Sequence, residues 1–129
     1  KGASSAGSMT VVGEGGSTTT NLQQGLAKCW LASSDAAGLN DSLNITSGTD
    51  NGTGDYTFAI SNDMANSNYS IISTASQAAA NDPVISCNPT NDTNSVSVFR
   101  LQLGYTSSGS GGYVAIDKLN YSALFGDLA

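Results

Sequence analysis

The sequence predicts an all-β protein: an antiparallel β-sandwich, jelly-roll-like, with an extended N-terminal arm. Three observations carry that expectation. Ser, Thr, Asn and Asp are abundant alongside 15 glycines. Such residues disfavour helix, because their side chains bond to nearby backbone or, for Gly, because ordering costs the most entropy. Apolar and polar positions alternate with period two in short runs. Gly, Asn, Asp or Pro separate those runs at the close intervals of a sandwich or barrel.

A chain of 129 residues is the size of one domain, which we divide into an arm, residues 1–24, and a sandwich, residues 25–129. In the arm, "SMTVVG" reads as one short strand between "KGASSAG" and "GEGGSTTT". It has too little apolar surface to bury itself and is expected to lie against the rest of the molecule or another chain. "LAKCWLA" puts Leu26, Lys28 and Trp30 on one face and Ala27, Cys29 and Leu31 on the other. "SLNIT" sets Leu43 and Ile45 against Ser42, Asn44 and Thr46, and "YTFAI" sends Tyr56, Phe58 and Ile60 inward. "NYSIIST", "DPVISC", "NSVSVFRLQLGY" and "GYVAIDKLNYSALFG" complete the strands.

Pro83 and Pro89 flank "VISC" and mark it as a strand near an edge. In "SVSVFRLQL" the apolar phase slips from Val96 and Val98 to Phe99, Leu101 and Leu103, which a β-bulge or burial on both faces would accommodate. "TASQAAAND", Thr74 to Asp82, is the one segment with the composition of a helical turn. Trp30, Phe58 and Phe99 are expected in the core.

Formal net charge is −6, with Lys1, Lys28, Arg100 and Lys118 the only cations. They form no stripe that could neutralise phosphates, so nucleic-acid binding is not expected. No apolar stretch approaches the roughly 20 residues of a membrane-spanning helix, and no membrane insertion is expected. The chain opens on Lys rather than Met, as a fragment or processed product does. Cys29 and Cys87 could pair or stay free. Their apolar contexts, and the lack of further pairs, favour free thiols acting as small buried hydrophobes.

The stretch "TDNGTGDYTFAI", Thr49 to Ile60, tests for chemistry. A phosphate loop would need GxxxxGK[ST] before a helix, and here a strand follows with no lysine. Asp50, Asn51 and Asp55 offer three oxygens, without the schedule of an EF-hand calcium loop. The remaining reading is a hairpin turn in which Asn-Gly supplies positive φ. Histidine is absent, which removes Ser-His-Asp and Cys-His catalysis. No cofactor, metal site or catalytic residue is expected. Carboxylates for glycoside hydrolysis exist in principle at Asp35, Asp41, Asp55, Asp63 and Glu14, each in a turn-like context. Tyr105 and Tyr113 bracket "TSSGSGG". That is either a plain hairpin end or a recognition loop of rigid tyrosines with adaptable polar neighbours. The ligand-binding candidates are accordingly Tyr105, Ser107, Ser108, Ser110 and Tyr113. Six N-x-[ST] triplets begin at Asn40, Asn44, Asn51, Asn68, Asn91 and Asn120, a number that this composition produces by itself.

"TVVGEGGSTTTNLQQGLAKCW" (Thr10 to Trp30), "DSLNITSGTDNGTGDYTFAISNDMANSNYSI" (Asp41 to Ile71) and the closing "LFGDLA" (Leu124 to Ala129) together resemble the C-terminal β-rich module of bacteriophage tail-fibre-like virion proteins of marine type. The resemblance implies a non-enzymatic structural protein of the virion, a tail fibre or fibre tip, that binds a host cell-surface ligand. It also implies a homotrimer beside other virion proteins, with a host glycan or protein as ligand. Assembly would be in the host cytoplasm and the particle extracellular, which again favours free cysteines. The segment Asp82 to Tyr121 matches the module least. A capsid decoration or head-fibre protein without a receptor, and a secreted adhesin or lectin-like module, are the alternatives.

Overall fold

A computed structural model describes residues 9–13, 15–76, 84–87, 94–106 and 112–129. Among the described residues it has eleven strands, all paired antiparallel, and one helical turn; nine of the strands form the two sheets of a β-sandwich. The arm forms a hairpin of β1 (Thr10–Val12) and β2 (Thr19–Asn21), followed by the turn α1 (Leu22–Gly25). The first sheet of the sandwich contains β3 (Cys29–Ser33), β4 (Leu39–Leu43), β7 (Ser70–Ala75) and β11 (Asn120–Phe125), in the order β4-β3-β11-β7. The second contains β5 (Ile45–Gly52), β6 (Asp55–Ile60), β8 (Val84–Cys87), β9 (Val98–Thr106) and β10 (Tyr113–Ala115). Along β9, β6 pairs with residues 98–102 and β10 with residues 104–106, while β8 pairs with residues 102–105. The overlapping registers place β8 on one side of β9, with β6 and β10 end to end on the other.

The core follows the alternation of β6 and β9. Tyr56, Phe58 and Ile60 face Phe99, Leu101 and Leu103, all buried, and the directly opposed rings of Phe58 and Phe99 lie 5.4 Å apart. Cys29, Leu31 and Leu124 close it from the first sheet. Trp30 does not join them. It faces outward from β3 and is 37 % exposed, because Cys29, Leu31 and Ser33 occupy the inward parity. The expectation of a core tryptophan is corrected.

Two other expectations change for one physical reason, a switch of sheets inside an apparently continuous run. "SLNIT" is not one strand. Asn44 has φ of 60° and turns the chain from β4 into β5 of the opposite sheet. Its side chain secures that corner, donating to the Lys28 carbonyl at 3.2 Å and accepting from the Asn62 N–H at 2.7 Å. "GYVAIDKLNYSALFG" likewise divides into β10 and β11, in different sheets. The phase slip at Phe99 needs no bulge, since the β6–β9 register is unbroken from Val98 to Gln102; Val96 lies in the preceding loop, and Val98, the first residue of β9, is half-buried on the parity opposite to Phe99. The helical reading of Thr74 to Asp82 meets β7 at its start, and residues 77–82 lie outside the described residues, as do Pro83 and Pro89.

The "DNGTG" segment is a turn, as expected, with β5 reaching Gly52 before the chain reverses. Gly52 and Gly54 have φ of 132° and 67°. A Cβ on Gly54 would lie 2.3 Å from the Leu103 carbonyl, so only glycine lets the turn lie against β9. The Gly54 N–H donates to Asp117 at 2.6 Å. The Tyr56 hydroxyl, buried at the foot of this turn, lies 2.8 Å from the Asp35 carbonyl and 2.9 Å from the same Asp117 carboxylate. Burial and the Asp117 carboxylate both push this phenol well above its ordinary pKa.

Both cysteines are free. Cys29 is buried, and burial raises its thiol pKa against the opposing Asn44 contact; Cys87 is exposed, contrary to the buried hydrophobe expected there. A thiol reagent should therefore titrate one cysteine in the native protein and two after denaturation. Tyr56→Phe should lower stability by about 1–2 kcal/mol in denaturant unfolding, because two acceptors lose the proton they share.

Candidate functional site

The outer face of the second sheet carries the polar residues that the alternation turns away from the core. Asp55 and Thr57 of β6 stand beside Gln102 and Arg100 of β9, their register partners. Asp55 reaches diagonally to Arg100. Arg100 Nε donates to Asp55 Oδ1 at 2.6 Å, and Nη2 donates to Oδ2. This two-pronged ion pair is partly buried. The guanidinium holds the Asp55 carboxyl below the usual range, opposed by desolvation and assisted by Asn51. Asn51 donates to Thr57 Oγ1 at 2.9 Å and to Asp55 Oδ1 at 3.3 Å. The Arg100 backbone N–H extends past the end of β8 and is satisfied by Asn94 Oδ1 at 2.9 Å.

Tyr113 lies at the β10 end of the same face. Its ring fills the space above Gly104, where a Cβ would come within 2.3 Å of Cε2 and 2.4 Å of Cζ. Glycine at 104 thus lets the ring sit on the strand, and the tyrosine remains 49 % exposed. Its phenol pKa is raised, chiefly by burial and then by Cys87 and Asp55. Cys87 and Gln102 are register partners, as are Gln102 and Asp55, so a row of Asp55, Gln102 and Cys87 crosses the sheet at the next outward position along β9 from Gly104.

Of the five residues expected to bind a ligand, two are described, and of these Tyr113 is on this face. Tyr105 pairs with Val114 and shares the inward parity of Leu103, so the two tyrosines take opposite faces. Ser107, Ser108 and Ser110 lie outside the described residues. The carboxylates considered for glycoside chemistry occupy separate elements: Asp35 the β3–β4 turn, Asp41 β4, Asp55 its ion pair and Asp63 the loop after β6. Glu14 lies outside the described residues. Asp50 accepts from the Gly52 N–H at 2.9 Å and Asp55 is engaged by Arg100, so both carboxylates of the calcium reading have partners within the protein, while Asn51 contributes its nitrogen as a donor. Among the described residues no group of three or more metal-ligating side chains is assembled. Sequence reasoning singled out Asp55 but not Arg100 or Gln102. The pattern "FRLQL" contains that signal, because inward Phe99, Leu101 and Leu103 force both polar residues outward.

The opposite surface differs. Leu43, Trp30, Ala123 and Ile72 are successive register partners across β4, β3, β11 and β7, forming an outward apolar row over the first sheet. Between β7 and β8 lies an open cleft of about 430 Å³ floored by Leu101; the buried Ser86 Oγ on its wall has no hydrogen-bond partner among the described residues. No family model, curated protein or solved structure matches the chain.

The arrangement offers paired donors and acceptors of no net charge beside an exposed ring, suited to a polar, hydroxyl-rich ligand. The ion pair also has a pH signature. A carboxyl with a lowered folded-state pKa contributes stability above its unfolded value, about 4, and loses it as pH falls through the folded value. The stability difference between wild type and Asp55→Asn should therefore be largest at neutral pH and shrink below about pH 4, as measured by denaturant unfolding across pH.

Proposed function

We propose that this chain is a non-enzymatic structural module of a phage virion, a tail-fibre or fibre-tip component. It binds a polar ligand of the host cell surface through the outer face of the second sheet. The observation that carries this reading is the Tyr113 ring seated on Gly104 beside the Asp55–Arg100 pair, Asn51 and Gln102. A ring offers amphipathic area at little entropic cost, and neighbouring side chains fixed by their own hydrogen bonds are already arranged for hydroxyl groups. Low surface charge suits an uncharged glycan. The module works as an oligomer, a trimer in the fibre reading, exposed outside the cell when carried on a particle.

A second reading, a capsid decoration or head-fibre protein with no receptor, is favoured by the apolar row, which is an assembly surface rather than a sugar platform. Binding distinguishes the two. The full chain should bind one or more of a panel of immobilised bacterial surface polysaccharides. Tyr113→Ala should weaken binding about tenfold, ~1.4 kcal/mol, while Thr74→Ala on the other sheet should leave it unchanged. No binding, or binding indifferent to Tyr113, would move the assignment to the decoration reading. Release of reducing ends from those polysaccharides, stopped by a single Asp→Asn change, would make the module an enzyme.

A further inference from the structure

We propose that the apolar row Leu43–Trp30–Ala123–Ile72 is a self-association face that receives the β1–β2 hairpin of a second copy of this chain. The proposal rests on the oligomeric part of the reading above and adds which surfaces meet.

The row spans every strand of the first sheet, three spacings of about 4.8 Å each. Ile72 is 63 % and Leu43 49 % exposed. At the same outward parity, Asp41 and Thr74 are polar ends of the next row, whose middle is Ala32 and the 50 % exposed Tyr121, and Ser70 stands beside Phe125 on the other side. Scattered exposed apolar residues need no explanation, but a continuous set containing a tryptophan and widened by a neighbouring tyrosine has the composition of an interface.

The hairpin presents the complementary problem. Its two strands are three residues each and, among the described residues, pair only with each other. A lone two-stranded hairpin is marginal in water and persists when it packs on something. Val11 and Met9, two residues apart and so on one side, are both exposed, as is Val12. Residues 9–12 and 19–21 carry no charge, so docking them desolvates no ion.

Within one chain neither surface covers the other, since the residues of both remain exposed. A partner of different sequence would cover the row and leave the hairpin bare. A second copy covers both kinds of surface with one repeated contact, matched one to one. The contact is heterologous, hairpin to sheet face, so copies close into a ring when the rotation permits.

The test uses light scattering on a sizing column with the full chain and three full-length variants: Ile72→Asp and Leu43→Asp on the row, and Val11→Asp on the hairpin. All three sites are exposed in the single chain, and circular dichroism verifies folding. Wild type is expected at a multiple of 13.0 kDa, and each variant near 13.0 kDa. Mixing Ile72→Asp with Val11→Asp chains restores one intact hairpin–face pair and should yield twice 13.0 kDa. Trp30, the single tryptophan, should emit at longer wavelength in Ile72→Asp than in wild type. An oligomeric wild type whose folded variants keep its mass and Trp30 emission would overturn the surface assignment and leave the oligomeric reading standing. A monomeric wild type would overturn both, and a mixture that stays monomeric would overturn the hairpin-to-face contact.

Discussion

The proton of the Tyr56 hydroxyl ties together parts of the chain that no strand pairing joins. A phenol buried beside the core must find an acceptor, since an unmet donor there costs more than the bond returns. The acceptors come from the β3–β4 turn, through Asp35, and from the link between β10 and β11, through Asp117. Because Asp117 also accepts from Gly54, the same carboxylate holds the β5–β6 turn. That turn sets the start of β6, and with it the position of Asp55 opposite β9. The ion pair on the outer face therefore depends on a hydrogen bond on the inner one. Gly54 completes the arrangement by allowing an approach that any side chain would block.

The two outer faces of the sandwich divide the chemistry. One holds its polar side chains in fixed mutual bonds, with an aromatic ring resting on the strand beside them. The other is a line of aliphatic and indole surface. A module with this division can attach to its neighbours by one side and meet polar molecules with the other, and neither task requires the core to move.

Much of the fold was legible where alternation and burial coincide. The alternation of "YTFAI" places Tyr56, Phe58 and Ile60 in the core as expected, Phe99 joins them there, and the glycines of "DNGTG" announce their turn. Parity does not say which face is inward, which is why Trp30 was assigned to the core. Lys28, on the same parity two residues earlier, points to the outward reading. Alternation is equally blind to a change of sheet. One residue with positive φ, Asn44, moves the chain from one layer to the other without disturbing the apolar pattern on either side, and the four residues between β10 and β11 do the same. The site was half visible: Asp55 stood out as a carboxylate, but its partner lies 45 residues away in sequence. Tyr105 and Tyr113 looked like a pair because they frame one loop, whereas the register places them on opposite faces.

Asn120 has a consequence for how the protein can be made. It begins one of the six N-x-[ST] triplets, yet it is fully buried at the start of β11, and its Nδ2 donates to Ser33 Oγ at 2.6 Å. An oligosaccharyltransferase acts on the emerging chain before such a side chain is enclosed. A sugar added at that stage would occupy the nitrogen that must later face Ser33 and would have no room between the sheets. Passage through a eukaryotic secretory route would thus trap modified chains short of the native state, whereas a bacterial cytoplasm lacking this enzyme leaves the sandwich free to close.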